Sequence, residues 1–206
     1  MHTRPLYAVQ DFSVPWIQCL AASSQPPLAL EPPDPPTSAI LRDRNYGVCF
    51  AADNVWLFRR GCDHEQGLSS LLYQSPPPEA ARPESVAGDA RALPELTYSV
   101  VASHYPLRSD IHHVHLDLYW RAPASRAGTR FGFGVRLRGR THWVCYEPAF
   151  GLVPSERWRP HAIVRDQLVV HITNPEGAPS ATLLVKVDTS DGRRGYVATV
   201  RRIVFR

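Results

Sequence analysis

Between His113 and Trp120 the chain alternates without interruption: Val114, Leu116, Leu118 and Trp120 are apolar, and His113, His115, Asp117 and Tyr119 between them carry polar groups. Successive side chains of a β-strand point to opposite faces, so a run of period two specifies a strand with one face in a core and the other outside it. The same constraint governs His115–Ile172, a stretch of short segments broken by Pro, Gly and Ser. No segment sustains a helical period, so the spacing predicts an all-β chain.

Strands are predicted on both sides of that stretch. Tyr46–Phe50 and Asn54–Arg59 read as a hairpin, Gly61–Ser70 as a polar loop, Leu71–Tyr73 as a short apolar patch, and Leu96–Ala102 as a strand. Phe131, Phe133, Val135 and Leu137 form the inner face of the strand after His113–Trp120. Gly132 and Gly134 on its outer face imply a close backbone or a bend. Thr141–Glu147 follows, then an irregular crossing, Pro148–Pro160, that carries Trp158. Strands Ala162–Ile172, Thr182–Val187 and Tyr196–Phe205 complete the series, with turns at Asn174–Pro179 and Asp188–Gly195. Seven or more short strands with turn signals between them predict an antiparallel β-sandwich of jelly-roll or immunoglobulin-like type.

A length of 206 residues suits one domain with an appendage. Prolines cluster in Pro26–Pro36 and Pro76–Pro83, which places linkers and loops there. Met1–Leu30 has short apolar patches without period, and Glu31–Pro36 (EPPDPP) is a stiff extended linker. Residues 1–38 are therefore read as an irregular Pro-rich N-terminal arm and linker, and residues 39–206 as the β-sandwich domain. Ser75–Asp89 reads as a low-complexity surface loop.

The formal net charge is +4, and Lys186 is the single lysine. Charge this mild describes a solvated surface, and no aromatic residues interleave with the arginines for base stacking, which argues against a nucleic-acid partner. The four cysteines form no CxxC pair and no zinc-ligand spacing; Cys49 and Cys62 are the one pair singled out for a disulfide. Met1–Leu20 carries Gln10, Asp11 and two prolines where a secretory leader needs an apolar core, and no apolar run is long enough to span a bilayer. If complete, the chain is expected to be soluble and cytoplasmic or otherwise intracellular, with its thiols mostly reduced and its oligomeric state open.

LDLYWRA at Leu116–Ala122, PSERWRP at Pro154–Pro160, IVRDQLVVHI at Ile163–Ile172 and LLVKV at Leu183–Val187 occur in this order. Together they resemble the β-sandwich appended to the carboxyl side of bacterial membrane glycosyltransferases of the dolichyl-phosphate-mannose mannosyltransferase type. The resemblance covers the second half of the chain. His161 stands where that family usually has Gly, and the membrane-embedded catalytic part is absent. What the resemblance implies is a sandwich fold and an accessory or binding role, not transferase activity.

Three constellations carry chemistry. His113 and His115 share one face of a strand, and His171 or His142 on a neighbouring strand could supply a third ligand, as in the His-x-His of a cupin barrel holding one transition-metal ion. The fuller cupin pattern of Gly, Glu and a downstream His motif is missing, and a His-rich sheet face without metal is the plainer reading. Arg136, Arg138 and Arg140 alternate and would present a guanidinium ladder to an anion, extended by Arg193, Arg194, Arg201 and Arg202; charge that merely blocks edge association is the alternative. Trp143 and Trp158 are the aromatic residues expected to be exposed, which suits a sugar platform, whereas Trp120 falls on the core side. Cys145 and His142 point to opposite faces and form no nucleophilic relay.

The sequence therefore points to a non-catalytic module that recognises a glycan or a protein partner without a cofactor, through Trp143, Trp158, Arg136, Arg138 and Arg157. A cupin-like metal-dependent jelly-roll enzyme using His113, His115 and His171 is one alternative. A structural or regulatory protein, viral ones included, that docks through its N-terminal arm is the other.

Overall fold

A computed structural model describes residues 7–10, 28–30, 46–52, 55–84, 86–88, 93–124, 128–146, 148, 153–174 and 177–205. The linker Glu31–Pro36 and most of Met1–Leu30 lie outside these residues. The described strands are β1 (Tyr7–Gln10), β2 (Leu28–Leu30), β3 (Tyr46–Ala52), β4 (Val55–Arg60), β5 (Val86–Gly88), β6 (Glu95–Arg108), β7 (Ile111–Arg121), β8 (Thr129–Leu137), β9 (Arg140–Tyr146), β10 (Ile163–Thr173), β11 (Ser180–Thr189) and β12 (Gly195–Val204). One helix, α1 (His64–Leu72), and a 3-10 turn, Ser155–Arg157, accompany them among the described residues.

The strands form antiparallel sheets in the orders β2-β10-β7-β6 and β5-β12-β11-β8-β9, with a small third sheet β1-β4-β3. Within β6–β12 the chain makes a hairpin in one sheet, crosses to a hairpin in the other, returns to place β10 beside β7, and crosses again to place β11 beside β8. Three strands opposite four in this order is the immunoglobulin-type Greek key rather than the jelly roll.

The core forms where the two periods of two face each other. Val114, Leu116, Leu118 and Trp120 on β7 are all at most 1% exposed, and they join Phe133 and Val135 of β8 and Leu183, Val185 and Val187 of β11 in one contiguous cluster. Trp120 meets Phe131 edge-on at 5.4 Å between ring centres. Each such side chain contributes about 1.5–3 kcal/mol on burial, and an edge-on aromatic pair about 1 kcal/mol beyond that.

Polar groups close the seam between β6 and β12. The Ser99 hydroxyl donates to the Val200 carbonyl at 3.0 Å, and the Tyr196 hydroxyl donates to the Pro94 carbonyl while accepting from the Leu96 amide at 3.1 Å. Burial raises the Tyr196 phenol well above its ordinary pKa. The segment expected to be a loose surface loop is used here. Ala81 pairs with Ser99 of β6, the Glu84 amide donates to the Thr199 carbonyl of β12, and Val86–Gly88 adds to β12 as β5. Both edges accept the strap, and its prolines fall where no ladder donor is needed.

Helix α1 replaces part of the predicted polar loop. Asp63 caps it by accepting from the Gln66 amide at 3.1 Å, and Leu68, Leu71 and Leu72 fall on one buried face. Gly67, Ser69 and Ser70 weaken the helical signal in the sequence. Gly67 has a packing reason, because a Cβ there would overlap the Val48 carbonyl of β3. Cys49 on β3 is disulfide-bonded to Cys62, one residue before the cap. The expectation of reduced thiols is corrected for this pair. The predicted arm contributes β1, paired with β4, and β2, paired with β10.

Two stability measurements check this packing. Ala normally favours a helix over Gly, but Gly67→Ala is expected to destabilise by about 1–3 kcal/mol in urea unfolding, because the overlap outweighs propensity. No loss, or a gain, would contradict the close approach. The cysteines are separated by 13 residues, so replacing both Cys49 and Cys62 by Ser is expected to remove about 3 kcal/mol of loop-closure stabilisation; unchanged stability after reduction would contradict it.

Candidate functional site

The outer face of the five-stranded sheet is organised by one tight turn. Arg138 and Gly139 both have positive φ, 45° and 82°, and form a two-residue connection from β8 to β9. That turn sets the register Arg136↔Thr141, Gly134↔Trp143 and Gly132↔Cys145. A Cβ on Gly134 would lie 2.7, 2.8 and 3.0 Å from Cε3, Cζ3 and Cδ2 of Trp143, and one on Gly132 would lie 3.6 Å from Cε3. Near-equal distances to three ring atoms mean that the indole lies face-on over Gly134. Glycine removes the side chain that would hold it off. Trp143 is 41% exposed, so part of the indole remains in solvent.

Charged and hydroxyl groups border the indole. Arg136 donates from Nε to the Thr141 hydroxyl at 3.0 Å, two residues along β9 from Trp143. The stem of Lys186 approaches the Gly132 side, and its Nζ pairs with Asp188 at 2.8 Å. Thr182 of β11 lies opposite both Arg136 and Arg202, so these two arginines flank it in one row across three strands. Arg202 donates to the Ser180 hydroxyl at 3.1–3.2 Å. The face thus combines a flat apolar ring with donors at its rim, an arrangement suited to a polar ligand that has an apolar side.

Several expected site residues stand elsewhere. Trp158 is 2% exposed and donates from Nε1 to the Val153 carbonyl at 3.0 Å, so its expected exposure is corrected: the crossing folds its indole into the core against Phe131. Arg157 pairs with Asp63 at 3.0 Å and joins the crossing to α1. The Gln66 amide, and then Arg157, hold the Asp63 carboxyl below its usual pKa. Arg159 lies over the Tyr73 ring at 4.3 Å in the same junction. The ladder of Arg136, Arg138 and Arg140 is corrected too, because Arg138 occupies the turn and Arg140 begins the next strand opposite Leu137. Arg193 and Arg194 sit in the β11–β12 turn, at the other end of the sheet.

His104, His112, His113, His115 and His171 gather on the four-stranded sheet, whereas His142, the expected alternative third ligand, stands on β9 of the other sheet opposite Val135, which corrects that reading. His113 and His171 are direct cross-strand partners, with Nδ1 of the first 2.9 Å from Nε2 of the second. Tyr105 stacks on His113 at 4.7 Å, and His115 lies 4.8 Å away between ring centres. The predicted sharing of a face is present, but the paired nitrogens meet each other. Among the described residues no group of three or more His, Cys, Asp or Glu side chains is placed to hold a metal ion. Tyr119, at the other end of this face, is buried rather than exposed, beside the Asp117–Arg165 ion pair of 2.8 Å and near Glu79 of the strap. The side chain of Cys145 lies outside the described ones.

His112 turns to the opposite face, where it stacks on Phe205 at 4.0 Å with Nδ1 3.4 Å from Nε2 of His104. Burial lowers the pKa of both, and for His112 the neighbouring His104 adds to the effect.

The pairing of Trp143 with Gly134 does not follow from alternation alone, although the sequence carries its signal. A strand with two outer glycines, an Arg-Gly turn and a Trp at the matching distance define it once the turn is taken as two residues. Among the described residues no helix is long and apolar enough to cross a membrane. No family model, no curated protein and no solved structure matches the chain.

The lowered pKa values of His104 and His112 have a definite sign. In the unfolded chain both take up protons near pH 6.5, and in the folded chain only at lower pH, so stability falls as pH drops below about 6.5. Urea midpoints at neutral and mildly acidic pH are expected to fall less in a His104→Gln/His112→Gln variant than in the parent chain. Equal falls would place the titrating groups elsewhere.

Proposed function

We propose that this chain is a non-catalytic carbohydrate-binding module that receives its ligand on the outer face of the five-stranded sheet. The observation that carries the reading is the indole of Trp143, seated on Gly134 and 41% exposed. A pyranose ring presents a patch of CH groups on one face and hydroxyls around its edge. The first packs on an aromatic face and the second reach donors and acceptors at its border, here Thr141, Arg136 and Thr182. The seat is rigid because it is built on paired strands rather than on a loop, so little side-chain freedom is lost on binding.

The resemblance of the LDLYWRA, PSERWRP and IVRDQLVVHI segments to the accessory sandwich of membrane glycosyltransferases supports the same reading. The Cys49–Cys62 disulfide supports an oxidising compartment, where polysaccharides are met outside the cytoplasm.

A glycan array probed with the parent chain, Trp143→Ala and Gly134→Val tests the proposal. Trp143→Ala removes the platform, and Gly134→Val lifts the indole from its seat. Both are expected to weaken glycan binding by about tenfold or more. Trp143→Ala is expected to lower the thermal midpoint only modestly, since part of the ring is in solvent. Trp158→Ala, which empties a core site, is expected to cost about 3–5 kcal/mol of stability instead. Glycan binding untouched by Trp143→Ala would sink the proposal.

A further inference from the structure

The outer face of the five-stranded sheet is not uniform in charge, and its asymmetry bears on the kind of sugar it takes. At one end of the indole the ammonium of Lys186 is matched by Asp188 at 2.8 Å. At the other end Arg136 and Arg202 flank Thr182, and among the described residues each is met by a hydroxyl, of Thr141 and Ser180 respectively, rather than by a carboxylate. Their backbones stand two strands apart, about 10 Å, with Thr182 between them; Arg136 is turned toward Thr141 on β9 and Arg202 toward Ser180 on β11. A hydroxyl accepts only part of what a guanidinium can donate, so each group holds further N–H donors and a full positive charge for something else.

We infer that the ligand is an acidic glycan. One sugar ring lies on Trp143, and a carboxylate or sulfate on that ring or the next is received between Arg136 and Arg202. This rests on the carbohydrate-binding reading and adds the chemical class of the sugar. The row Arg136–Thr182–Arg202 is adjacent to the row Trp143–Gly134–Leu184, so an acidic substituent and a stacked ring in one oligosaccharide can be satisfied together. A planar carboxylate or a sulfate can accept paired N–H donors from a guanidinium, which a sugar hydroxyl does not reproduce. At the opposite border Lys186 is paired with Asp188, and Arg130 of β8 stands opposite that same Asp188.

The test is titration of the full chain with hexagalacturonate, a chondroitin sulfate hexasaccharide and the neutral maltohexaose, alongside a glycan array. It is run near physiological salt, where charges more than about 8 Å apart are largely screened. The variants are Arg136→Gln/Arg202→Gln, Trp143→Ala, and the charge-matched control Arg193→Gln/Arg194→Gln. The control pair lies beyond Asp188 on β11, roughly 20 Å from Thr182. The expected result is binding of an acidic oligosaccharide that weakens about tenfold or more in Arg136→Gln/Arg202→Gln and in Trp143→Ala and holds within about twofold in the control. Circular dichroism of each variant should match the parent.

Binding confined to neutral glycans, or acidic and neutral glycans bound alike, would overturn the acidic-ligand inference and leave the carbohydrate module standing. Acidic binding lost equally in the control would overturn it as simple attraction to net positive charge. Binding that survives Trp143→Ala, or no glycan bound at all, would remove the carbohydrate reading and this inference together.

Discussion

The inner row of β7 packed against β8 and β11 is the constraint on which the rest of the structure depends. Val114, Leu116, Leu118 and Trp120 have no alternative place in water, and their period of two leaves a single face available for them. Once that face is buried, every intervening residue is committed to the outside. A slip of one position would turn His113, His115 and Asp117 toward the core and expose four large apolar groups. The same commitment in β8 puts Phe133 and Val135 inward, and therefore Gly132, Gly134 and Arg136 outward. The ligand face is thus a consequence of core packing, carried through the sheet by register.

What distinguishes that face is the use of absent side chains. Gly134 and Gly132 weaken a strand by themselves, since they add entropy to the unfolded chain and pack nothing. Trp143 covers both and restores the lost contact, so a local deficit becomes a seat for an aromatic ring. The Arg138–Gly139 turn then has two tasks. It reverses the chain, and it places Trp143 opposite Gly134 rather than one residue away. The opposite sheet differs. Its outer histidines bond to one another, and its Tyr119 end is covered near the strap and the Arg165–Asp117 pair.

The strand content and the inner faces were legible because alternation is a local signal that burial amplifies. Both sides of the hairpin Tyr46–Ala52 and Val55–Arg60, and β7–β12, stand close to where the spacing puts them, while β6 runs past the expected Ala102 to Arg108. Helix α1 was hidden by Gly67, Ser69 and Ser70, whose low propensity is offset by partners distant in sequence, Val48 and the disulfide to Cys49. The burial of Trp158 was hidden because an irregular crossing has no period. Its indole goes inward through a single hydrogen bond to Val153 and contact with Phe131. The arginine ladder failed for a related reason, since alternation continues through LRGR in the sequence while the backbone turns at its centre. The site itself was half legible: Trp143 and Arg136 stood out by type, but their relation to Gly134, Thr182 and Arg202 exists only across strands.

The most direct measurement is chemical-shift mapping of the labelled protein by NMR during titration with hexagalacturonate. The account predicts that the perturbed signals cluster at Gly134, Arg136, Thr141, Thr182, Arg202 and the indole N–H of Trp143, while the indole signals of buried Trp120 and Trp158 stay in place. Perturbations centred on His113, His115 and His171, or no perturbation of the Trp143 indole at saturating ligand, would contradict it.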